Sequence, residues 1–265
     1  MVEASVGFQC PACVAEGNRG LRRARTAFGG RSVDKPYVTW AILILMGVGY
    51  VGQMLTSENL LQAGGSRLVW NFGMLGYGIG SDGPMGVVAG EWYRLITSAF
   101  LHGGLWHLLF NGWAMYVLGS PLERSLGHGR FLALWLLGAL SGSVLSLLLA
   151  PPNQFSIGAS GAIFALFGAV FLVGRRLGAD MRVIGIVLAI NLVITFVFPQ
   201  ISWTAHIGGL AAGLLLGAVF TYLPSGSARP AVRTAVHTAA IALLAVVLTA
   251  LVVAAPHLML WALVP

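Results

Sequence analysis

The sequence predicts an all-α polytopic membrane protein, on three observations. Only 9% of its 265 residues are charged and 57% are hydrophobic, with a mean hydropathy of +0.85. The apolar residues gather into seven long runs, and the basic residues cluster between those runs. Soluble globular domains carry about 25% charged residues, so a chain this poor in charge cannot cover itself toward water. Its solvent must be lipid.

A hydrocarbon core about 30 Å thick takes roughly 20 helical residues. The predicted spans are 37–55, 101–118, 131–150, 158–173, 183–198, 201–223 and 236–260. The fourth and fifth are short, because 16 residues at 1.5 Å each cover about 24 Å. A short helix whose polar entry lies at membrane depth needs that entry buried in protein or lining water. This singles out the fourth span, which opens on Gly158-Ala159-Ser160-Gly161. Pro256 is expected to kink or end the seventh span.

Lys and Arg set the orientation. One side holds Arg19, Arg22, Arg23, Arg25, Arg31, Lys35, Arg124, Arg130, Arg175, Arg176, Arg182, Arg229 and Arg233, whereas the other has only Arg67 and Arg94. The positive-inside rule puts the N-terminus in the cytoplasm and, after seven spans, the C-terminus outside. The formal charge of +7 therefore sits in membrane loops. It forms no phosphate-tracking face, so nucleic acid is excluded and the bilayer is the expected partner. No cleavable signal peptide is expected, since the N-terminal segment is polar and basic with no short apolar stretch before a small-residue cleavage site. The connection 56–98 is too long for a simple turn. With Trp70, Phe72, Trp92 and Tyr93 among many glycines, it is expected to pack at the interface.

Ionisable groups inside spans are costly and mark function by default. His107, Asn111, Ser160 and His206 all fall in the same outer half of the bilayer. His107 and Asn111, four apart, share a helical face. Gly209, Gly213 and Gly217 continue the face of His206, and Gly161, Ala165 and Gly168 make a small-residue strip beside Ser160. Packing these strips together would bring Ser160 to His206. A serine hydroxyl needs an adjacent base, here His206. The oxyanion needs donors, which His107, Asn111 and the Ser160 N–H supply. No Asp or Glu lies in the outer half of any span, so a dyad is expected, and an aspartyl protease with two carboxylates is excluded. The absence of HExxH disfavours a zinc protease. His102 is expected to be structural, and His128, His237 and His257 to be bland.

These residues resemble the rhomboid family of intramembrane serine proteases over about residues 37–223. Gly158-Ala159-Ser160-Gly161 is similar to the family's GxSG motif, and Ala205-His206-Ile207-Gly208-Gly209 to the segment bearing its general base. His107-Leu108-Leu109-Phe110-Asn111 resembles the HxxxN that helps form its oxyanion hole. Trp92-Tyr93-Arg94 and Gly119-x₃-Glu123-x₃-Gly127 resemble two structural motifs. Some members carry Tyr four residues after the serine, packed on the histidine; here Phe164 stands there and can stack but not donate. The seventh span matches the family's 6+1 arrangement.

The resemblance implies a six-helix core over 37–223, a cytoplasmic segment over 1–36, and a linker with a seventh helix over 224–265. It implies cleavage of transmembrane protein substrates in or near the plane of a bacterial cell membrane, with no metal or organic cofactor. Cys10 and Cys13 have zinc-ligand spacing, but a structural zinc site takes four ligands and no second pair exists. The segment resembles the tail of a small zinc-binding domain found before the core in some actinobacterial members. The alternative function is a catalytically inactive rhomboid-like protein that binds membrane clients. Such relatives typically lack the serine or the histidine, and both are present here. A transporter is disfavoured, because the two halves of the chain show no repeat.

Overall fold

Within hydrocarbon a backbone satisfies its own N–H and C=O groups only as a helix or a closed barrel, and the apolar runs accordingly become helices. The computed structural model describes residues 2–3, 7–18, 26, 28–30, 33–57, 63–224 and 229–259. Arg19, Arg22, Arg23, Arg25 and Arg31, used above for orientation, lie outside the described residues, as does Leu260. The helices are α1 Pro11–Asn18, α2 Tyr37–Leu55, α3 Arg67–Phe72, α4 Arg94–Thr97, α5 Leu105–Leu126, α6 His128–Leu149, α7 Ser160–Arg176, α8 Arg182–Val197, α9 Trp203–Tyr222 and α10 Pro230–Met259. Two small antiparallel hairpins accompany them, β1 Val2–Glu3 with β2 Phe8–Gln9 and β3 Gly78–Gly80 with β4 Gly83–Met85.

Among the described residues, α2, α6, α9 and α10 are each long and apolar enough to cross a membrane, and α8 is a shorter apolar helix. Two helices outside that group are instructive. α5 has 22 residues but carries His107, Asn111, Glu123 and Arg124. α7 has 17 residues and ends on Arg175 and Arg176. A short or polar helix is tolerated at membrane depth when protein, not lipid, surrounds it. α7 meets that condition: it packs between α6, α9 and α5, and its residues from Gly161 to Ala169 are all buried. α10 lies against α6 and α9, α2 pairs with α5, and α8 touches α7 and α9 only lightly.

Small residues make the centre. A Cβ on Gly209 would fall on the carbonyl of Gly161, and one on Gly213 would fall on the backbone of Ala165. One turn further, a Cβ on Gly217 would stand 2.8 Å from the Cα of Ala169. The α7 and α9 backbones are therefore in direct contact over two turns, along the strips expected from the sequence. α6 joins on the same terms, since a Cβ on Gly142 would meet the Ala205 carbonyl at 2.7 Å. Lipid tails are as apolar as leucine, so close van der Waals packing, not exclusion from water, holds such helices together.

Two features of the helix ends differ from expectation. The second span begins at Leu105 and runs on to Leu126, where the sequence suggested 101–118. Hydropathy stops at the membrane edge, but the helical ladder continues until Gly127, whose φ of +86° ends it. α10 passes through Pro256 and continues to Met259, so the proline does not terminate it. The first connection is folded from residue 63 to 100, with buried Val69, Met74, Leu75, Val87 and Leu95.

Substituting Gly213→Ala should lower the thermal midpoint in detergent, with a loss of about 1–3 kcal/mol for overpacking. Gly47→Ala should not, because a Cβ there meets nothing within 4 Å. Equal midpoints for the two variants would contradict this packing.

Candidate active site

Ser160 is the first residue of α7. The chain reaches it through Gly158, whose φ of +126° disfavours any side chain. Space is lacking too: a Cβ there would stand 2.8 Å from Cε1 and Nε2 of His107 and 3.8 Å from Ser160 Oγ. The His107 ring thus lies over the turn that presents Ser160. That turn is fixed from below, where the Gly158 N–H donates to the Ser98 carbonyl at 2.9 Å. Just before it, Ser156 and Met74 exchange both backbone hydrogen bonds at 2.9 and 3.0 Å. The first connection is therefore stitched to the segment that enters α7.

His107 has a defined tautomer. The Gly103 N–H donates to its Nδ1 at 3.2 Å, so in the neutral ring the proton sits on Nε2, the nitrogen that faces Gly158. Asn111 follows one turn later, buried, with Nδ2 donating to the His107 carbonyl at 2.8 Å. An amide has a second N–H to give. Behind both, the buried ring of His102 stands edge-on to His107 with centroids 5.1 Å apart. Gln53 holds the His102 backbone at both ends, donating to its carbonyl at 2.9 Å and accepting its N–H at 2.8 Å.

His206 lies in the first turn of α9, which Ser202 caps by accepting the Ala205 N–H at 3.3 Å. The imidazole is buried flat on Phe164, with centroids 4.1 Å apart and planes 15° apart. Its Nδ1 is 2.6 Å from Thr195 Oγ1 on α8. A Cβ on Gly161 would lie 3.2 Å from the Ala205 carbonyl, and one on Gly209 would fall on the Gly161 carbonyl. The residue after Ser160 therefore touches the chain on both sides of His206. His107, Ser160 and His206 lie in the first turns of α5, α7 and α9, with Asn111 one turn further along α5. A small cavity lies beside the turn that enters α7, lined by residues that include Ser98, Ser143, Ser156, Gly158, Gly161 and Ala205.

A family profile for the rhomboid domain matches residues 89–223. The chain belongs to the rhomboid family. It is 36% identical over 156 residues to the putative rhomboid protease YdcA of Bacillus subtilis (strain 168), covering 57% of this chain and 75% of that protein. The rhomboid protease GluP of the same organism is 37% identical over 149 residues, covering 53% of this chain but 28% of the relative. RHOMBOID-like protein 5 of Arabidopsis thaliana is 35% identical over 147 residues, covering 52% of this chain and 47% of the relative. Family and helices together make this rhomboid a multi-pass membrane protein.

The remaining motif residues of this rhomboid brace the site from a distance. Arg94, 1% exposed, donates through Nη1 to the carbonyls of Trp70 and Gly73 at 2.8 and 2.9 Å and through Nε to Glu91 at 2.7 Å. It gathers three parts of the first connection around one guanidinium. Trp92, of the same motif, keeps its ring half-exposed. At the opposite end of the protein Glu123, fully buried, accepts from the N–H groups of Val38 and Thr39 and from the Thr39 hydroxyl, and it pairs with His128. The α2 N-terminus has no side-chain cap of its own, with Pro36 at that position, and Glu123 supplies one from another helix. His128 and His237 have structural partners: the first meets Glu123, and the second, buried in α10, binds the Leu223 carbonyl at 2.7 Å. Cys10 and Cys13 are exposed and unpaired near the start of α1, and among the described residues no three His, Cys, Asp or Glu side chains cluster to hold a metal.

Sequence reasoning missed Thr195 and Gln53. Both are polar residues inside apolar runs, and the i,i+4 pair Asn191–Thr195 was the available signal.

Glu91 makes the brace testable outside the spans. Burial raises its pKa, but the bonds from Arg94, the Gly86 N–H and the Tyr93 hydroxyl outweigh it and hold the carboxyl below its ordinary range. A carboxylate lowered in the folded state stabilises fully above its unfolded pKa and loses that contribution as pH falls through the folded value. Thermal stability in detergent should therefore decline from about pH 5 downward. The decline should be shallower in Glu91→Gln; parallel curves for the two proteins would count against the brace.

Proposed function

We propose that this rhomboid is an intramembrane serine endopeptidase that uses Ser160 as nucleophile and His206 as base. The observation that carries this reading is the set of contacts around the first turn of α7. The donor nitrogen of His107 lies over the Ser160 turn, and the His206 ring stacks on Phe164, one turn further along the helix that Ser160 opens. Ser160 Oγ attacks the scissile carbonyl as His206 takes its proton; His206 then protonates the leaving amine, and water resolves the acyl-enzyme. The tetrahedral oxyanion is met by the His107 Nε2–H, the second Asn111 N–H and the Ser160 backbone N–H. The last is free of intrahelical bonding because Ser160 opens α7.

Hydrolysis needs water inside a protein surrounded by lipid. Three serines are among the residues that line the cavity with Gly158 and Gly161, and polar walls are what a buried water requires. The substrates are membrane proteins cut in or near a transmembrane segment, because the site opens among spanning helices rather than in an aqueous domain. Residues 37–223 form the proteolytic core in this reading, with 1–36 and 224–265 appended. The protein sits in a bacterial cell membrane with its N-terminus in the cytoplasm and its C-terminus outside, as the Lys and Arg distribution argues.

Purified protein incubated in detergent with a model single-span substrate tests the mechanism. Ser160→Ala and His206→Ala should each lower cleavage by about 10³-fold or more, and Asn111→Ala by about 10²-fold. A fluorophosphonate should label the wild type and not Ser160→Ala. Cleavage that survives both of the first two substitutions would sink the assignment.

A further inference from the structure

We infer that Thr195 is the positioning residue of His206: its hydroxyl accepts the Nδ1 proton and so fixes the tautomer that leaves Nε2 as the base. The inference rests on the assignment of Ser160 and His206 above.

Thr195 Oγ1 has two polar neighbours, His206 Nδ1 at 2.6 Å and the Asn191 carbonyl oxygen at 2.7 Å. A hydroxyl has one proton to give. A carbonyl oxygen can only accept, so the Thr195 proton points at Asn191. The bond to His206 must then run the other way, with Nδ1–H donating to Oγ1. The reverse assignment would leave two oxygen acceptors 2.7 Å apart with no proton between them. A neutral imidazole carrying its proton on Nδ1 presents an unprotonated Nε2, which is the form that can take a proton from a serine.

Burial points the same way. Of the 16 residues of α8, Thr195 alone is buried, at 2% exposure. A helix that is otherwise at the periphery turns one side chain fully inward, and that side chain meets His206. Phe164 holds the ring plane and Thr195 holds the ring's rotation within that plane. The arrangement complements that of His107, where the Gly103 N–H leaves the outward nitrogen as a donor. One histidine thus gives a hydrogen bond to the reacting centre and the other takes a proton from it. A hydroxyl orients without supplying charge, so its contribution is smaller than that of a carboxylate in a triad.

A threonine in a membrane helix often bonds the carbonyl four residues back for local reasons, and a purely structural role predicts no specific effect on turnover. The full chain in detergent is assayed with a single-span substrate and, separately, for its rate of fluorophosphonate labelling. Thr195→Val, which keeps the shape and loses the hydroxyl, should lower kcat by about tenfold or more. KM should stay within about twofold and labelling should slow in parallel, while Thr195→Ser should restore kcat to within about threefold. Thr195→Ala is read in the same way, so poor folding of one variant does not shield the idea. Wild-type kcat and labelling in the hydroxyl-free variants, or equal impairment in Thr195→Ser, would overturn the inference alone. Labelling that persists in Ser160→Ala would instead overturn the nucleophile assignment and this inference with it.

Discussion

The carbonyl of Gly161 occupies the space that a side chain on Gly209 would need, and the backbone of Ala165 does the same to Gly213. Everything at the candidate site is referred to this contact between α7 and α9. It sets the distance between the turn bearing Ser160 and the turn bearing His206 by backbone atoms, which have far fewer ways to move than side chains. α6 extends the same principle through its own Gly138 and Gly142, with Gly208 of α9 packed on Gly142. With hydrophobic exclusion unavailable among lipid tails, close approach is what makes the association specific.

Around this rigid centre the polar groups are organised by their hydrogen-bond directions. His107 receives a backbone N–H and Thr195 faces His206, so each ring is held at the nitrogen away from the reacting centre. The first connection serves the same end. Arg94 draws its parts together, and Met74 and Ser98 pass that order to the segment that enters α7. Residues far from Ser160 in sequence thereby determine how its turn is presented.

Much of this was legible in advance. The span positions followed from hydropathy because lipid leaves a backbone so few options. The α7–α9 pairing followed from two matching strips of small residues. The missed features are those decided by contacts between distant segments. Gln53 and Thr195 read as isolated polar residues in apolar runs, since nothing local says which backbone or ring they meet. The end of α5 at Leu126 was also hidden, because hydropathy reports the membrane edge while Gly127 ends the helix. The motifs of the candidate site were visible by type and order, but the tautomers of their histidines depend on partners contributed by other elements.

Glu123 carries a consequence for how the protein is made. Its carboxylate caps α2 from 85 residues further along the chain. During synthesis α2 therefore precedes its cap, and the N–H groups of Val38 and Thr39 have no Glu123 to bond until α5 has followed. Because the junction joins the first turn of α2 to the last turn of α5, these are helix-end groups of the kind water can serve in the interval. The same cap placed at mid-membrane would leave both a bare helix end and a bare carboxylate in hydrocarbon. The position of Glu123 thus suits an assembly order in which early helices are locked by later ones from the wet face.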